Sequence, residues 1–94
     1  MKIIVFDTET TGLPESRNTS ILETDKWPYI VQISWILYDC EKMEVLNVQD
    51  HIIRCGVDIP KESSDIHGIT NARAERKGVE LVPIMDAFDN DLQL

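Results

Sequence analysis

Residues 2–13 read KIIVFDTETTGL, and this stretch decides the fold class. Its first part, Lys2–Phe6, is dominated by β-branched and aromatic side chains. Such a short continuous apolar run predicts a β-strand that is covered on both faces and is therefore central in its sheet. Asp7 then stands at the carboxyl end of that strand, and Glu9 follows two residues later.

The Asp7-Thr8-Glu9 spacing suggests a metal half-site. We expect the two carboxylates to point toward a common cation, because the chain loses strict alternation as it leaves the sheet. Mg²⁺ and Mn²⁺ prefer such hard oxygen ligands, and two of these ions about 4 Å apart can support phosphodiester hydrolysis. Taken alone, the Asp-x-Glu pattern favours a plainer interpretation, in which both groups are solvated or cap a turn.

The next part of the chain predicts a loop and a β-hairpin. Thr8 to about Pro28 is rich in loop-forming residues and has little periodicity. Tyr29 to Asp39 and Val45 to Ile53 both alternate, and a polar turn at about Cys40 to Lys42 joins them as an antiparallel hairpin. The apolar face of the first hairpin strand consists of Val31, Ile33, Trp35 and Leu37. The second hairpin strand carries Leu46, Val48 and Ile52 on one side and Asn47, Gln49 and His51 on the other.

Helices are predicted only after the hairpin. Asp58 to Gly78 indicates turns and short helical pieces, including about Asn71 to Lys77, and Val82 to Leu94 indicates a longer helix. The apolar face of that helix is formed by Leu81, Met85, Phe88 and Leu92. Its acidic residues, which we place mostly elsewhere and do not assign as ligands, are Asp86, Asp89 and Asp91. The fold class is α/β, with a three-stranded antiparallel meander and a helix.

The composition limits the possible functions. The chain has 94 residues and a formal charge of -8, so we expect one domain at most and no broad basic field for nucleic acid. The negative net charge is compatible with a nuclease that holds metal ions, because bound cations change the local charge that a phosphate meets. With no long apolar span and no signal-peptide pattern, we expect a soluble cytoplasmic protein without a membrane partner. Cys40 and Cys55 are expected to be free thiols.

The full string from Asp7 to Leu13 closely resembles the first motif of the DEDD (DnaQ-like) 3'-5' exonucleases, which include the proofreading epsilon subunit of DNA polymerase III. The resemblance implies a ribonuclease H-like fold, a two-metal Mg²⁺ or Mn²⁺ site, and hydrolysis at single-stranded 3' ends of DNA or RNA. The catalytic and metal-binding roles would fall on Asp7 and Glu9. Contacts to the substrate would fall on Thr8, Thr10, Gly12 and Leu13.

A second segment, His67-Gly68-Ile69-Thr70, is also similar to this family. By itself a His-Gly pair indicates only a turn, but the resemblance implies that His67 lies near the 3'-terminal nucleotide. Trp35 is interpreted as a core residue and His51 as a surface residue. A further hypothesis is that part of the surface beside the site is formed by Trp27, Tyr29 and Gln32.

The resemblance covers residues 1–94 as the N-terminal portion of a single family domain. Later family motifs supply an Asp, then a His or Tyr, and a final Asp, and none of these has a match here. We therefore expect this chain alone to have little or no nuclease activity, because two side chains fix two metals poorly and a base is missing. The incomplete sheet predicts self-association through an exposed edge. A DNA polymerase partner stays open, since no contact signal for one is identified.

Two other interpretations remain. The strand followed by Asp-x-Glu-x-Thr is one substitution from the motif of haloacid-dehalogenase-like phosphatases, in which the first Asp is a nucleophile. That class needs parallel strands joined by helices, whereas the sequence predicts an antiparallel hairpin. The other alternative is a noncatalytic fragment that acts as an interaction module through its open sheet edge.

Overall fold

The computed structural model describes residues 1–13, 16 and 18–93. In chain order the elements are β1 (Lys2–Thr10), a short 3-10 helix (Thr24–Lys26), β2 (Ile30–Asp39), β3 (Glu44–Ile52), α1 (Lys61–His67), α2 (Asn71–Lys77) and α3 (Leu81–Leu92). The strands form one sheet in the order β1-β2-β3, and both neighbouring pairs are antiparallel. The predicted α/β class and the antiparallel meander are confirmed.

The predicted helices are confirmed with small changes at their ends. The helix expected over Asn71 to Lys77 has those bounds, and the last helix begins at Leu81 and ends at Leu92. Leu94, which the prediction included, lies outside the described residues. The predicted loop from Thr8 to Pro28 begins later, because β1 continues through Thr10. Pro14, Glu15 and Arg17 of that loop also lie outside the described residues.

The expectation that β1 is a central strand with two covered faces is wrong for the described part of the chain. β1 is an edge strand, and only β2 pairs with it. Ile3 and Val5 point to a face on which no described element packs, so Val5 is 59% exposed. A run of β-branched residues indicates a strand, but by itself it cannot show what covers each face.

β2 forms the centre of the core, as its alternation predicts. Val31, Ile33 and Trp35 are buried, with exposures of 0%, 2% and 1%. α3 covers this packed face through Phe88, whose ring meets Trp35 edge to face at a centroid distance of 5.1 Å. The interpretation of Trp35 as a core residue is confirmed. Residues before and within α2 form a second small cluster around Val31, with Ile59, Ile69 and Ala74.

β3 directs polar side chains toward the packed face of the sheet and apolar side chains toward the open face. Asn47, Gln49 and His51 lie on the packed face, because His51 pairs with Ile33 and Gln49 with Trp35 in the sheet register. Val48 lies on the other face and is 61% exposed. The interpretation of His51 as a surface residue is wrong: it is partly buried, contacts the Trp35 ring and shares a 2.7 Å hydrogen bond with Gln49.

The polar side of β3 is compatible with packing because α3 supplies a carboxylate there. Asp91 accepts hydrogen bonds from Trp35 Nε1 at 2.8 Å and from Asn47 Nδ2 at 2.7 Å. The placement of Asp91 away from the apolar face of α3 is therefore wrong. Among the described residues, no buried side-chain polar atom lacks a hydrogen-bond partner.

Two sequence expectations concern cysteines and membranes. Cys40 and Cys55 are both free thiols, as predicted. Within residues 1–13, 16 and 18–93, no helix has the length and apolar character needed to cross a bilayer.

Candidate functional site

Asp7 and Glu9 lie on the same face of β1. Their pairing is regular, Asp7 with Ser34 and Glu9 with Gln32, and the register shifts only after Glu9. Alternation puts residues two apart on one face, at a Cα separation of about 6.6–6.8 Å. The two carboxylates are thus brought together by strict alternation within the strand. The expected loss of alternation after Asp7 is wrong, because β1 is three residues longer than the run Lys2–Asp7 suggested.

Among the described residues, the carboxylates of Asp7 and Glu9 have few hydrogen-bond partners and no ion-pair partner. Asp7 Oδ1 accepts a 2.9 Å hydrogen bond from the Thr8 backbone N–H. Asp7 is exposed and Glu9 is partly buried. Within the described part of the chain, no Lys, Arg or His forms a salt bridge with either residue. Both groups are therefore available to a cation.

A third carboxylate lies on the same face of the sheet. The register aligns Asp7, Ser34 and Asp50 in one row across the three strands. Asp50 accepts hydrogen bonds from Ser34 Oγ at 2.7 Å and from Gln32 Nε2 at 2.9 Å. These bonds, first that of Ser34 and then that of Gln32, hold the pKa of Asp50 below its usual value.

Asp50 is not grouped with Asp7 and Glu9 as a third ligand. Two strand spacings separate Asp50 from Asp7, about 9.6 Å between their backbones. The described residues accordingly contain no group of three or more His, Cys, Asp or Glu that could hold a metal ion. Two carboxylates on one strand face are chemically compatible with a divalent cation, but the described residues do not complete a metal site with them.

The segment that follows β1 is fixed by hydrogen bonds within itself and to Tyr29, the residue before β2. Thr10 Oγ1 donates to Gly12 O at 2.7 Å, which closes a tight turn. Gly12 has a φ of 155°, a conformation that side-chain-bearing residues rarely adopt. The Thr11 N–H donates to Tyr29 O at 2.9 Å, and the Tyr29 N–H donates to Thr11 Oγ1 at 3.0 Å. The turn is therefore held in one position beside the sheet.

α1 holds the same segment from the other side. Ser63 Oγ donates to Thr11 O at 2.8 Å. His67 Nδ1 accepts the Ile69 N–H at 3.0 Å, and His67 Nε2 lies 3.2 Å from Thr10 O. Because Nδ1 is an acceptor here, the proton sits on Nε2 and is donated to Thr10 O. Gly68, in the left-handed conformation at φ 76°, ends α1 and lets the chain turn back to make the Ile69 contact.

A cleft of about 270 Å³ lies between the last residues of β1, the turn that follows them and α1. The lining residues include Glu9 and the five residues predicted to touch substrate, which are Thr8, Thr10, Gly12, Leu13 and His67. Leu13 is 91% exposed at its rim. Asp7 does not line the cleft and instead borders a shallow depression of about 320 Å³ on the open face of the sheet. The structure thus brings six of the seven predicted residues to one cleft and leaves Asp7 beside it.

Sequence reasoning missed Asp50 and Ser63. Asp50 carried a signal, because it shares its side of β3 with Val48 and Ile52 and an acidic residue is out of pattern there. Ser63 had none, since its contact with Thr11 joins residues 52 positions apart. Trp27, Tyr29 and Gln32 were proposed as a surface beside the site. Trp27 and Tyr29 border a groove next to the cleft, whereas Gln32 lies in the sheet and binds Asp50.

No protein-family model matches the chain, and no curated protein matches it significantly. Among solved structures, the chain is similar to the crystal structure of a full-length 3'-exonuclease, with a TM-score of 0.61 and 17% sequence identity. The match covers 97% of this chain and 28% of that chain. The likeness shows a shared fold, and the antiparallel sheet with its helices is consistent with part of a ribonuclease H-like domain.

Proposed function

We propose that this chain carries the substrate-binding half of a metal-dependent 3'-5' exonuclease of DEDD (DnaQ-like) type. The observation that carries the proposal is the position of Glu9. Its side chain shares one strand face with Asp7 and lines the same cleft as His67 and the turn at Gly12. A carboxylate pair next to a preformed cleft is the arrangement needed to bring a phosphodiester to a divalent cation.

In this proposal Asp7 and Glu9 hold Mg²⁺ or Mn²⁺, which when bound activates water and stabilises the leaving oxygen. The 3'-terminal nucleotide of single-stranded DNA or RNA enters the cleft between β1 and α1. Gly12 lets the backbone approach the nucleotide closely, and Leu13 covers the base. Thr8 and Thr10 border the sugar and phosphate.

His67 acts here as a positioning residue. Both of its ring nitrogens are occupied, Nδ1 by the Ile69 N–H and Nε2 by Thr10 O. No lone pair is left to take a proton from water, so a general base must come from elsewhere. The 94-residue chain alone is accordingly expected to show little turnover. In a complete domain, this activity could serve proofreading beside a DNA polymerase, as in the epsilon subunit of DNA polymerase III.

Metal binding provides the first test. Mn²⁺ titration followed by electron paramagnetic resonance should show weak binding that Asp7→Asn and Glu9→Gln both remove. Asp50→Asn is the matched control, because it neutralises a carboxylate in the same row of the sheet as Asp7. Absence of Mn²⁺ binding at millimolar concentration, or equal loss in the Asp50→Asn variant, would contradict the proposed half-site.

Nucleotide binding provides the second test. Fluorescence anisotropy of a 5'-labelled single-stranded oligonucleotide should show tighter binding with Mn²⁺ than with EDTA, and Glu9→Gln should remove that difference. A 3'-phosphate should weaken binding relative to a free 3'-hydroxyl. A chain that rapidly degrades the oligonucleotide in an Asp7-dependent manner would show instead that residues 1–94 form a complete catalyst.

The free edge of β1 favours a second candidate function, an interaction module. Among the described residues no strand pairs with that edge, and unpaired strand edges recruit other strands. We propose that the edge mediates self-association of this chain. The phosphatase alternative receives no such support, since both strand pairs of the sheet are antiparallel.

A further inference from the structure

A second depression adjoins the cleft and shares Gly12 and Leu13 with it. This aromatic groove, named for Trp27 and Tyr29 on one wall, has a volume of about 310 Å³. Trp27 is 37% exposed and Tyr29 is 52% exposed. Both aromatic side chains are thus partly open to solvent beside the cleft, where a ring can stack on a flat partner.

The indole of Trp27 and the backbone of Tyr29 are held by hydrogen bonds beside the cleft. Trp27 Nε1 donates to Ser20 O at 2.9 Å, so the polar edge of the indole is occupied. The backbone of Tyr29 makes two hydrogen bonds with Thr11, the residue directly before Gly12. A rigid aromatic surface loses little conformational entropy on binding, and this favours a flat partner.

The charges of the groove decide which part of a nucleic acid fits. Asp25 and Asp58 line it together with Lys26, whose ammonium group is 3.7 Å from Glu23. The positive charge of Lys26 is thus offset and two carboxylates remain. A phosphate would be repelled there, whereas a neutral base would stack on the aromatic rings without crossing an unfavourable field.

We propose that the aromatic groove stacks one base of a single-stranded nucleic acid, that of a nucleotide adjacent to the one in the cleft. This inference rests on the proposed exonuclease function, which supplies the strand. It adds a second binding position, 5' to the terminal nucleotide, and gives Trp27 the main role in it. Contacts to bases would then contribute affinity that does not depend on attraction between phosphates and a chain with a net charge of -8.

Tryptophan fluorescence tests the proposal directly. Trp35 is 1% exposed, so quenching by an added ligand reports on Trp27. A single-stranded oligothymidylate should quench the emission, and Trp27→Ala should remove the quenching and raise Kd by about 5- to 150-fold, the range expected for one stacked base. Trp27→Phe, which keeps a stacking ring, should recover most of the affinity in the anisotropy assay.

Oligonucleotides that lack one base provide a second, more specific test of base stacking. Removing the base at each of the three 3'-terminal positions in turn should identify one position next to the terminus where the loss weakens binding to the original chain. The same abasic oligonucleotide should bind no more weakly than the intact one to the Trp27→Ala variant. Equal sensitivity of both proteins at that position would overturn the proposal.

The outcomes separate this inference from the proposed function. Metal-dependent oligonucleotide binding that is unchanged in Trp27→Ala would refute base stacking and leave the exonuclease proposal intact. Trp27-dependent oligonucleotide binding without any Mn²⁺ affinity would refute the metal half-site while supporting the groove. Quenching by a polyproline peptide and not by oligothymidylate would overturn base stacking in favour of a peptide-binding groove.

Discussion

Replacing Asp91 by alanine should destabilise the fold strongly, although Asp91 lies on a helix surface near the end of the described chain. Its Oδ2 atom accepts from both Trp35 Nε1 and Asn47 Nδ2, at 2.8 Å and 2.7 Å. Alanine would leave a donor of a 1% exposed tryptophan without its partner. Hydrogen bonds to charged groups contribute about 1.5–3 kcal/mol each and are not additive, so we expect a loss of about 2–4 kcal/mol.

Urea unfolding followed by circular dichroism measures this loss, and thermal unfolding should show a fall in Tm of at least about 8 °C. Asp91→Asn keeps an acceptor oxygen and should lose about 1 kcal/mol. Asp89→Ala is the matched control, because it removes the same charge from an exposed position of α3. If Asp91→Ala stays within about 0.5 kcal/mol of the Asp89→Ala control, the range typical of neutral surface changes, the reasoning is refuted.

Three further predictions concern packing, titration and association. Gly78→Ala should lower the free energy of unfolding by about 1–3 kcal/mol, because its Cβ would lie 2.7 Å from Arg54 N and would also collide with Ala74 O; a variant as stable as the original chain would contradict this. The pKa of the Asp50 carboxyl, measured by NMR, should lie below the ordinary value of an aspartate in an unfolded chain. Because the pKa is lowered in the folded state, the ionised Asp50 stabilises the fold above the pKa of the unfolded chain, and this contribution is lost as the pH falls through the folded pKa. Ser34→Ala should raise the titration midpoint of Asp50. An unchanged midpoint would refute the Ser34 hydrogen bond as the main cause of the lowered pKa. Light scattering should show concentration-dependent association that Val5→Lys reduces, and a stable monomer at all concentrations would count against the β1 edge as an interface.

The pattern of the sequence was sufficient to predict the three strands, the buried face of β2 and the apolar face of α3. Alternation in β2 predicted which side chains are buried, and Trp35 is at the centre of the core as expected. Helical spacing predicted that Met85 and Phe88 share one face of α3, and in the structure both belong to the cluster around Ile33 and Trp35. These predictions succeeded because local periodicity and burial on the same element are directly related.

The failures have a common physical cause, which is that periodicity divides a strand into two faces without stating which face is covered. In β3 the polar residues lie under α3, and a hydrogen-bonding carboxylate from Asp91 makes that possible. The pattern alone favoured the reverse. The same uncertainty affected β1, whose apolar run was taken to need cover on both faces while Val5 is 59% exposed. Which face is covered depends on contacts between residues about 50 positions apart.

The candidate site shows the same division between local and distant causes. The shared face of Asp7 and Glu9 follows from alternation along one strand, so the motif itself carried that information. The cleft beside them depends on Ser63 and His67, whose contacts with Thr11 and Thr10 span more than fifty residues. The carboxylates therefore sit on a strand that is ordered by its pairing with β2, while the turn at Gly12 is also held by α1. A substitution that disturbs α1 would accordingly change the proposed oligonucleotide binding and leave the two carboxylates in place on β1.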